Sequence, residues 1–244
     1  MITVSAVSYL NTLPFVYGLS RSETLQNVRL ELKVPSACAQ DLAENKTDIA
    51  LVPVGALPNL PSYHIIGNHC IGSTGEVKTV LLMSHVPLNS IKRVFLDPDS
   101  RTSVKLATIL ARDFWGIKPQ WLPMSSMPEL ASESDAMVAI GDKTFGMRKK
   151  FQYIFDLSTE WIKMTGLPFV FAVWASTNPI ADSVVREFDE ALRWGISNIN
   201  EAVAGSPQML VSRQEALDYL TNAISYVLDD PKRQAMKQFL SLIE

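Results

Sequence analysis

Polar and apolar residues alternate without a break along Val28-Arg29-Leu30-Glu31-Leu32-Lys33-Val34, the period-two signature of a strand with one wet face. Pro35 follows where the first turn of a helix tolerates proline, and Ser36 to Asn45 carries Ala37, Leu42 and Ala43 at helical spacing. Asp48 to Val54 returns as a nearly continuous apolar run, the pattern of a strand buried on both faces. Such a strand–helix–strand unit predicts parallel pairing through a right-handed crossover. Met1 to Val7 precedes it with another strand-like pattern.

A second series occupies the middle of the chain. Arg93 to Leu96 reads as a strand, Ser100 to Trp115 as a helix facing its core with Val104, Ala107, Leu110, Ala111 and Phe114, and Ala136 to Ile140 as a short buried strand ended by Gly141. Two longer extended runs, Val77 to Ser84 and Pro168 to Ser176, bracket this block and are expected to pass between lobes. Three helical stripes close the chain, over Pro179 to Ala204, Arg213 to Leu228 and Pro231 to Ile243. The first of them places Val184, Phe188, Ala191, Leu192, Ile196, Ile199 and Val203 toward a core. The expected architecture is α/β, with residues 1–82 plus 176–244 in one lobe, 83–175 in the other, and a small-molecule cleft between them. Lobes hinged on two strands can close on what they bind.

Composition narrows the function classes. With 47% apolar and only 19% charged residues over 244 positions, the chain has ample material for a packed core and reads as ordered. A net charge of −3, with no basic run, does not fit a phosphate-backbone partner. Cys38 and Cys70 form no CxxC pair, and His64, His69 and His85 are scattered, so no metal site is expected. Met1 leads directly into a strand pattern without the segments of an export signal, and no apolar run approaches the roughly 20 residues of a membrane span. A cytoplasmic protein without membrane contact is expected. No internal repeat or low-complexity tract interrupts the chain.

Open α/β sheets bind ligands at the carboxyl ends of their strands. Four polar tips occupy such places: Ser8-Tyr9-Leu10-Asn11-Thr12; Gly72-Ser73-Thr74-Gly75, with Lys78 and Thr79 just beyond; Asp97 to Ser103; and Gly141-Asp142-Lys143. The first also reads as an ordinary turn punctuated by Asn11 and Pro14. In the third, Asp99 or Ser100 caps the following helix and leaves the amides of Arg101, Thr102 and Ser103 outward, a seat for a carboxylate or phosphate. The same residues also describe a plain capped helix with an exposed arginine. Asp97 and Asp142 are the candidate bases, although Asp142 equally suits a helix cap. The chain has no GxSxG elbow, P-loop, GxGxxG or HExxH motif.

Taken in order, SYLNTLP (8–14), TDIALVPV (47–54), GEVKTVLLMS (75–84), LDPDSRTS (96–103), AIGD (139–142) and DLSTEWIKMTGLPFVFAVW (156–174) closely resemble the chorismate dehydratases of the futalosine route to menaquinone. The resemblance spans nearly the whole chain. It implies a fold like the type 2 periplasmic binding proteins, a lyase activity on chorismate and no cofactor or metal. It also implies catalytic roles for Asn11 and Thr79, with Asp142 as a possible base. The Thr79-Val80 pair stands where the family usually has Ser-Val, keeping the hydroxyl while adding a methyl and a stiffer side-chain torsion. The implied substrate-binding set is Ser8, Tyr9 and Thr12, then Ser100, Arg101, Thr102 and Ser103, then Gly141 and Phe169. Ser100, Thr102 and Ser103 would seat a substrate carboxylate. Two alternatives stay open, namely the dihydroxynaphthoate-forming sister enzyme of the same route, which lacks the SYLN opening, and a non-catalytic small-anion binder. Oligomeric state is not indicated.

Overall fold

A computed structural model describes residues 1–22, 28–124, 135–206 and 209–243. Strand β1 (Ile2–Val7) leads through a 3-10 turn (Leu10–Thr12) into helix α1 (Leu13–Arg21). Next come β2 (Val28–Lys33), α2 (Pro35–Ala43), β3 (Ile49–Pro53), a 3-10 segment (Val54–Asn59), β4 (His64–Ser73), β5 (Val80–Ser84) and β6 (Arg93–Leu96). Helix α3 (Thr102–Leu110) runs into a π turn (Ala111–Trp115), followed by β7 (Gln120–Pro123), β8 (Asp135–Ile140), α4 (Lys143–Met147), β9 (Tyr153–Asp156), α5 (Leu157–Thr165) and β10 (Phe169–Ser176). The chain closes with α6 (Asp182–Ser197), α7 (Ile199–Gly205), α8 (Arg213–Asp218), a second π turn (Tyr219–Ala223), β11 (Ser225–Val227) and α9 (Asp230–Leu242).

The strands form two sheets, ordered β11-β4-β10-β3-β1-β2 and β7-β6-β8-β5-β9. β1 pairs in parallel with both β2 and β3, as the strand–helix–strand pattern predicts, and β6 pairs in parallel with β7 and β8. β10 runs antiparallel between β3 and β4, and β5 antiparallel between β8 and β9. Each of these two therefore belongs wholly to one sheet. Sheet membership puts Val80–Leu82 with the second lobe and Phe169–Ala175 with the first, the reverse of the expected boundaries at 82/83 and 175/176. The crossings lie instead in the short turns ahead of each strand. Lys78 adopts a left-handed φ of 66° and its amide donates to Asp156 Oδ2 at 2.8 Å, while Gly166 ends α5 at φ 73°. These turns interrupt what reads in sequence as continuous apolar extension.

Other departures have local causes. The π turn after α3 adds a residue to the repeat, so Leu106, Ala107, Ile109, Leu110 and Ala111 are buried while Phe114 stays 40% exposed. Val104 is half-buried. The expected last-but-one helix stops early: a second π turn releases Ser225–Val227, which pairs antiparallel with β4. The expected single helix over 179–204 divides at Asn198 into α6 and α7. Phe169 is fully buried among Trp161, Phe171 and Phe239, with ring centroids 4.8–5.2 Å away. No helix among the described residues is long and apolar enough to cross a membrane.

Candidate functional site

The tips of β1 and β3 and the middle of β10 face the tips of β6 and β8 across the gap between the sheets. The cavity between them has about 560 Å³ of empty space. Tyr9, Asn11, Thr12, Leu51, Pro53, Ile71, Phe171 and Ala172 line it from the first lobe. Val77, Thr79 and Val80 line it at the crossing, and Asp99, Ser100, Arg101, Thr102, Ser103, Ile140 and Gly141 from the second lobe. The walls are largely apolar, with polar groups gathered at two facing tips, the usual composition of a small-molecule site.

Asn11 reaches the cavity because the chain breaks from β1 at Tyr9 (φ −102°, ψ 159°) into a single 3-10 turn, before Pro14 enters the first turn of α1. Three groups fix it. Its Oδ1 accepts from Thr12 Oγ1 at 3.1 Å, its backbone carbonyl accepts from the Tyr226 hydroxyl at 2.9 Å, and its side chain is hydrogen-bonded to Tyr219. The buried Thr79 hydroxyl lies 2.7 Å from the Tyr219 hydroxyl. Asn11 and Thr79 are thus joined through one buried phenol.

On the opposite wall, Ser100 Oγ accepts from the Ser103 amide at 3.2 Å, so of the two candidate caps Ser100 serves. The Thr102 hydroxyl is used between the lobes, donating to Phe171 O and accepting from the Gly55 amide, both at 3.0 Å. Lys105 Nζ donates to Gly55 O at 2.8 Å, and burial together with the Arg101 charge lowers its pKa. Side-chain space at Gly55 is nil, since a Cβ there would lie 2.8 Å from Thr102 Cα and 2.9 Å from Arg101 O. Thr102 therefore fastens the two lobes, while the amides that open α3, the Ser103 hydroxyl and Arg101 remain as the polar face of this wall.

Gly141 supplies a left-handed φ of 73°, and a Cβ there would sit 2.8 Å from the Tyr9 ring. The ring lies against this backbone and separates the cavity from a wider groove. Burial, then the charges of Asp99, Asp97 and Asp142, push the Tyr9 phenol upward, so it is a neutral hydrogen-bonding group in the physiological range.

The structure therefore brings Tyr9, Asn11, Thr12, Thr79, Ser100, Arg101, Thr102, Ser103 and Gly141 together. It leaves out Ser8, Asp142 and Phe169. Ser8 and Asp142 line the groove beyond Tyr9, beside Leu10, Leu13 and Phe145. Phe169 belongs to the core, and Phe171 lines the cavity in its place. The β-bulge at Val170–Ala172 shifts the alternation there, which residue spacing does not reveal. Tyr219 and Tyr226, absent from the expected set, lie in a stretch that reads as helix.

Neither candidate base is a free carboxylate in the cavity. Asp97 is buried and held by Lys143 Nζ at 2.6 Å and by the amides of Ile140 and Asp99 at 3.1 and 3.2 Å. Asp142 begins α4 but does not cap it with its side chain; both its oxygens accept from the Leu10 amide, at 3.1 and 3.0 Å. Burial raises its pKa above the ordinary 3.8, opposed by the Leu10 bond. A carboxyl whose folded pKa is raised destabilises the fold once ionised. Asp142→Asn is thus expected to raise the thermal midpoint at pH 7, with the gain vanishing as the pH falls toward 3.8. A midpoint below wild type at neutral pH would contradict this. Among the described residues no group of three His, Cys, Asp or Glu side chains is placed to hold a metal ion.

Two α/β lobes closing polar strand tips on a small cavity define a periplasmic-binding-protein-like fold. Solved structures agree. The chain superposes on an Archaeoglobus fulgidus protein with a TM-score of 0.77 at 16% identity, covering 99% of this chain and 96% of that one. For the periplasmic aliphatic sulphonate binding protein of Escherichia coli the TM-score is 0.61 at 14% identity, with 99% and 85% covered. Sequence comparison is more specific: the model of the menaquinone biosynthesis family matches residues 2–244, and the chain belongs to that family. It is also 27% identical to the chorismate dehydratase of Thermus thermophilus over 255 residues, 93% of this chain and 94% of that protein.

Proposed function

We propose that the protein is a carbon–oxygen lyase that converts chorismate into 3-[(1-carboxyvinyl)oxy]benzoate and water. The observation that carries this reading is the pairing of Asn11 and Thr79 on one side of a cavity whose facing wall is the start of α3. Chorismate carries one carboxylate on its ring and another on its enolpyruvyl arm. The positive end of α3 with Arg101 suits the first, and the donors of Asn11 and Thr79 suit the second. Similarity to the Thermus thermophilus chorismate dehydratase supports the same substrate.

In this elimination the C4 hydroxyl departs and the C3 proton is removed. The C3–H electron pair becomes the new ring double bond, so the product is aromatic and the step is redox-neutral. Aromatisation supplies the driving force, leaving the protein to hold geometry. Asn11 does not titrate near neutral pH, so its role is to hold an oxygen rather than to take a proton. The proton acceptor in this reading is the enolpyruvyl carboxylate itself, pinned beside C3. The Leu10 bond and the groove position of Asp142 favour this over an Asp142 base.

Incubation of the protein with chorismate is expected to yield the enolpyruvyl benzoate, one water lighter by mass and aromatic by absorbance. Saturable binding of chorismate without conversion would replace this reading with that of a small-anion binder.

A further inference from the structure

Tyr219 stands on the second π turn, 140 residues from Thr79 in sequence, and its side chain is fully buried beneath the cavity. It does not line the cavity itself, and its ring packs edge-on against Phe145 at 5.3 Å. Its hydroxyl has two partners, both of which do line the cavity.

The donors and acceptors in this cluster run in one direction. Thr79 Oγ1 donates toward Val77 O at 3.4 Å, which leaves the phenol to donate to Thr79 Oγ1 at 2.7 Å. Asn11 Oδ1 is already taken by the Thr12 hydroxyl, so the Asn11 amide nitrogen is the group that donates to the phenol oxygen. One amide N–H of Asn11 then remains for the cavity. Tyr226 holds the backbone of the same residue from below, through its 2.9 Å bond to the Asn11 carbonyl.

We propose that Tyr219 is a positioning residue that fixes which face of the Asn11 amide, and which rotamer of Thr79, meets the substrate. Without the phenol hydroxyl the Asn11 amide is free to turn. A turned amide offers a carbonyl oxygen to an anionic substrate, which repels it at the reacting end. The kinetic consequence rests on the chorismate reading; the orientation of Asn11 does not.

Tyr219→Phe keeps the ring and removes only the hydroxyl. Its kcat for chorismate dehydration is expected to fall about tenfold to a hundredfold, with KM within about twofold, as for other lost positioning contacts. Because Tyr219 acts through Asn11, the double variant Tyr219→Phe/Asn11→Ala should be no slower than Asn11→Ala alone, whereas a general loss of structure would add to it. A second readout needs no turnover. The Asn11 side-chain amide resonances, assigned by their disappearance in Asn11→Ala, should shift and exchange faster in Tyr219→Phe while the remaining amide spectrum stays native-like. Unchanged Asn11 resonances, or rate losses that multiply in the double variant, overturn the proposal. Shifted resonances in a wild-type protein that does not convert chorismate uphold the positioning and overturn the assigned reaction instead.

Discussion

Asn11→Ala should lower the rate of chorismate dehydration by about 10²–10³, the usual cost of deleting a preorganised donor. The substitution leaves the backbone carbonyl that accepts from Tyr226, so the turn holding residue 11 keeps its anchor and the fold should survive. What disappears is the link between the Thr12 hydroxyl and the Tyr219 phenol, together with the amide N–H facing the cavity. If that N–H steadies the departing hydroxyl or the enolpyruvyl carboxylate as charge shifts, the loss will appear mainly in kcat. Measured activity within a few-fold of wild type, in a protein with a native thermal midpoint, would remove Asn11 from the reaction.

A larger effect should come from altering the substrate. An analogue of chorismate whose enolpyruvyl carboxylate is amidated should occupy the cavity and compete with chorismate, yet show no detectable elimination. An amide has nearly the shape of a carboxylate but no useful basicity. The charged oxygen near C3 owes its basicity to the enclosed cavity, where it has shed part of its water. Asp142→Asn provides the complementary arm. Because the Asp142 carboxylate spends both oxygens on Leu10 and opens to the other side of Tyr9, the variant should retain turnover within about tenfold, the low end of what loss of a supporting contact costs. A folded, chorismate-binding Asp142→Asn protein that is inactive, beside an amidated analogue that reacts, would assign the proton to Asp142.

How much of this was legible beforehand depended on whether the signal was local. The bounds of β6 at Arg93–Leu96 agree with the apolar run read from the sequence, because polar residues delimit it on both sides. The parallel pairing around β1 follows from a strand–helix–strand pattern set by near neighbours. Ser100 as the cap of α3 was similarly visible from its own turn. Features that depend on distant partners were not. The two π turns insert residues without changing the apolar periodicity, so β11 reads as the continuation of a helix and Phe114 as a core residue. Phe169 and Phe171 look equivalent in a run of eight buried residues, and only the bulge beside them decides which one meets the cavity. Tyr219 carries no motif of its own. Its importance arises from Thr79 and Asn11, which the fold brings to it.

The Thr102 hydroxyl, bonded at once to Gly55 and Phe171, ties the start of α3 to the opposite lobe. Parting the lobes would break both bonds and carry away the wall on which Arg101 and Ser103 stand. An anion arriving at that wall would meet a complete binding surface only in the fraction of molecules already shut, and its apparent affinity would scale with that fraction. Loosening the Thr102 tie would then weaken binding without touching any atom of the ligand. The same tie would slow the departure of whatever is enclosed, so residence time and turnover would be governed by one pair of hydrogen bonds.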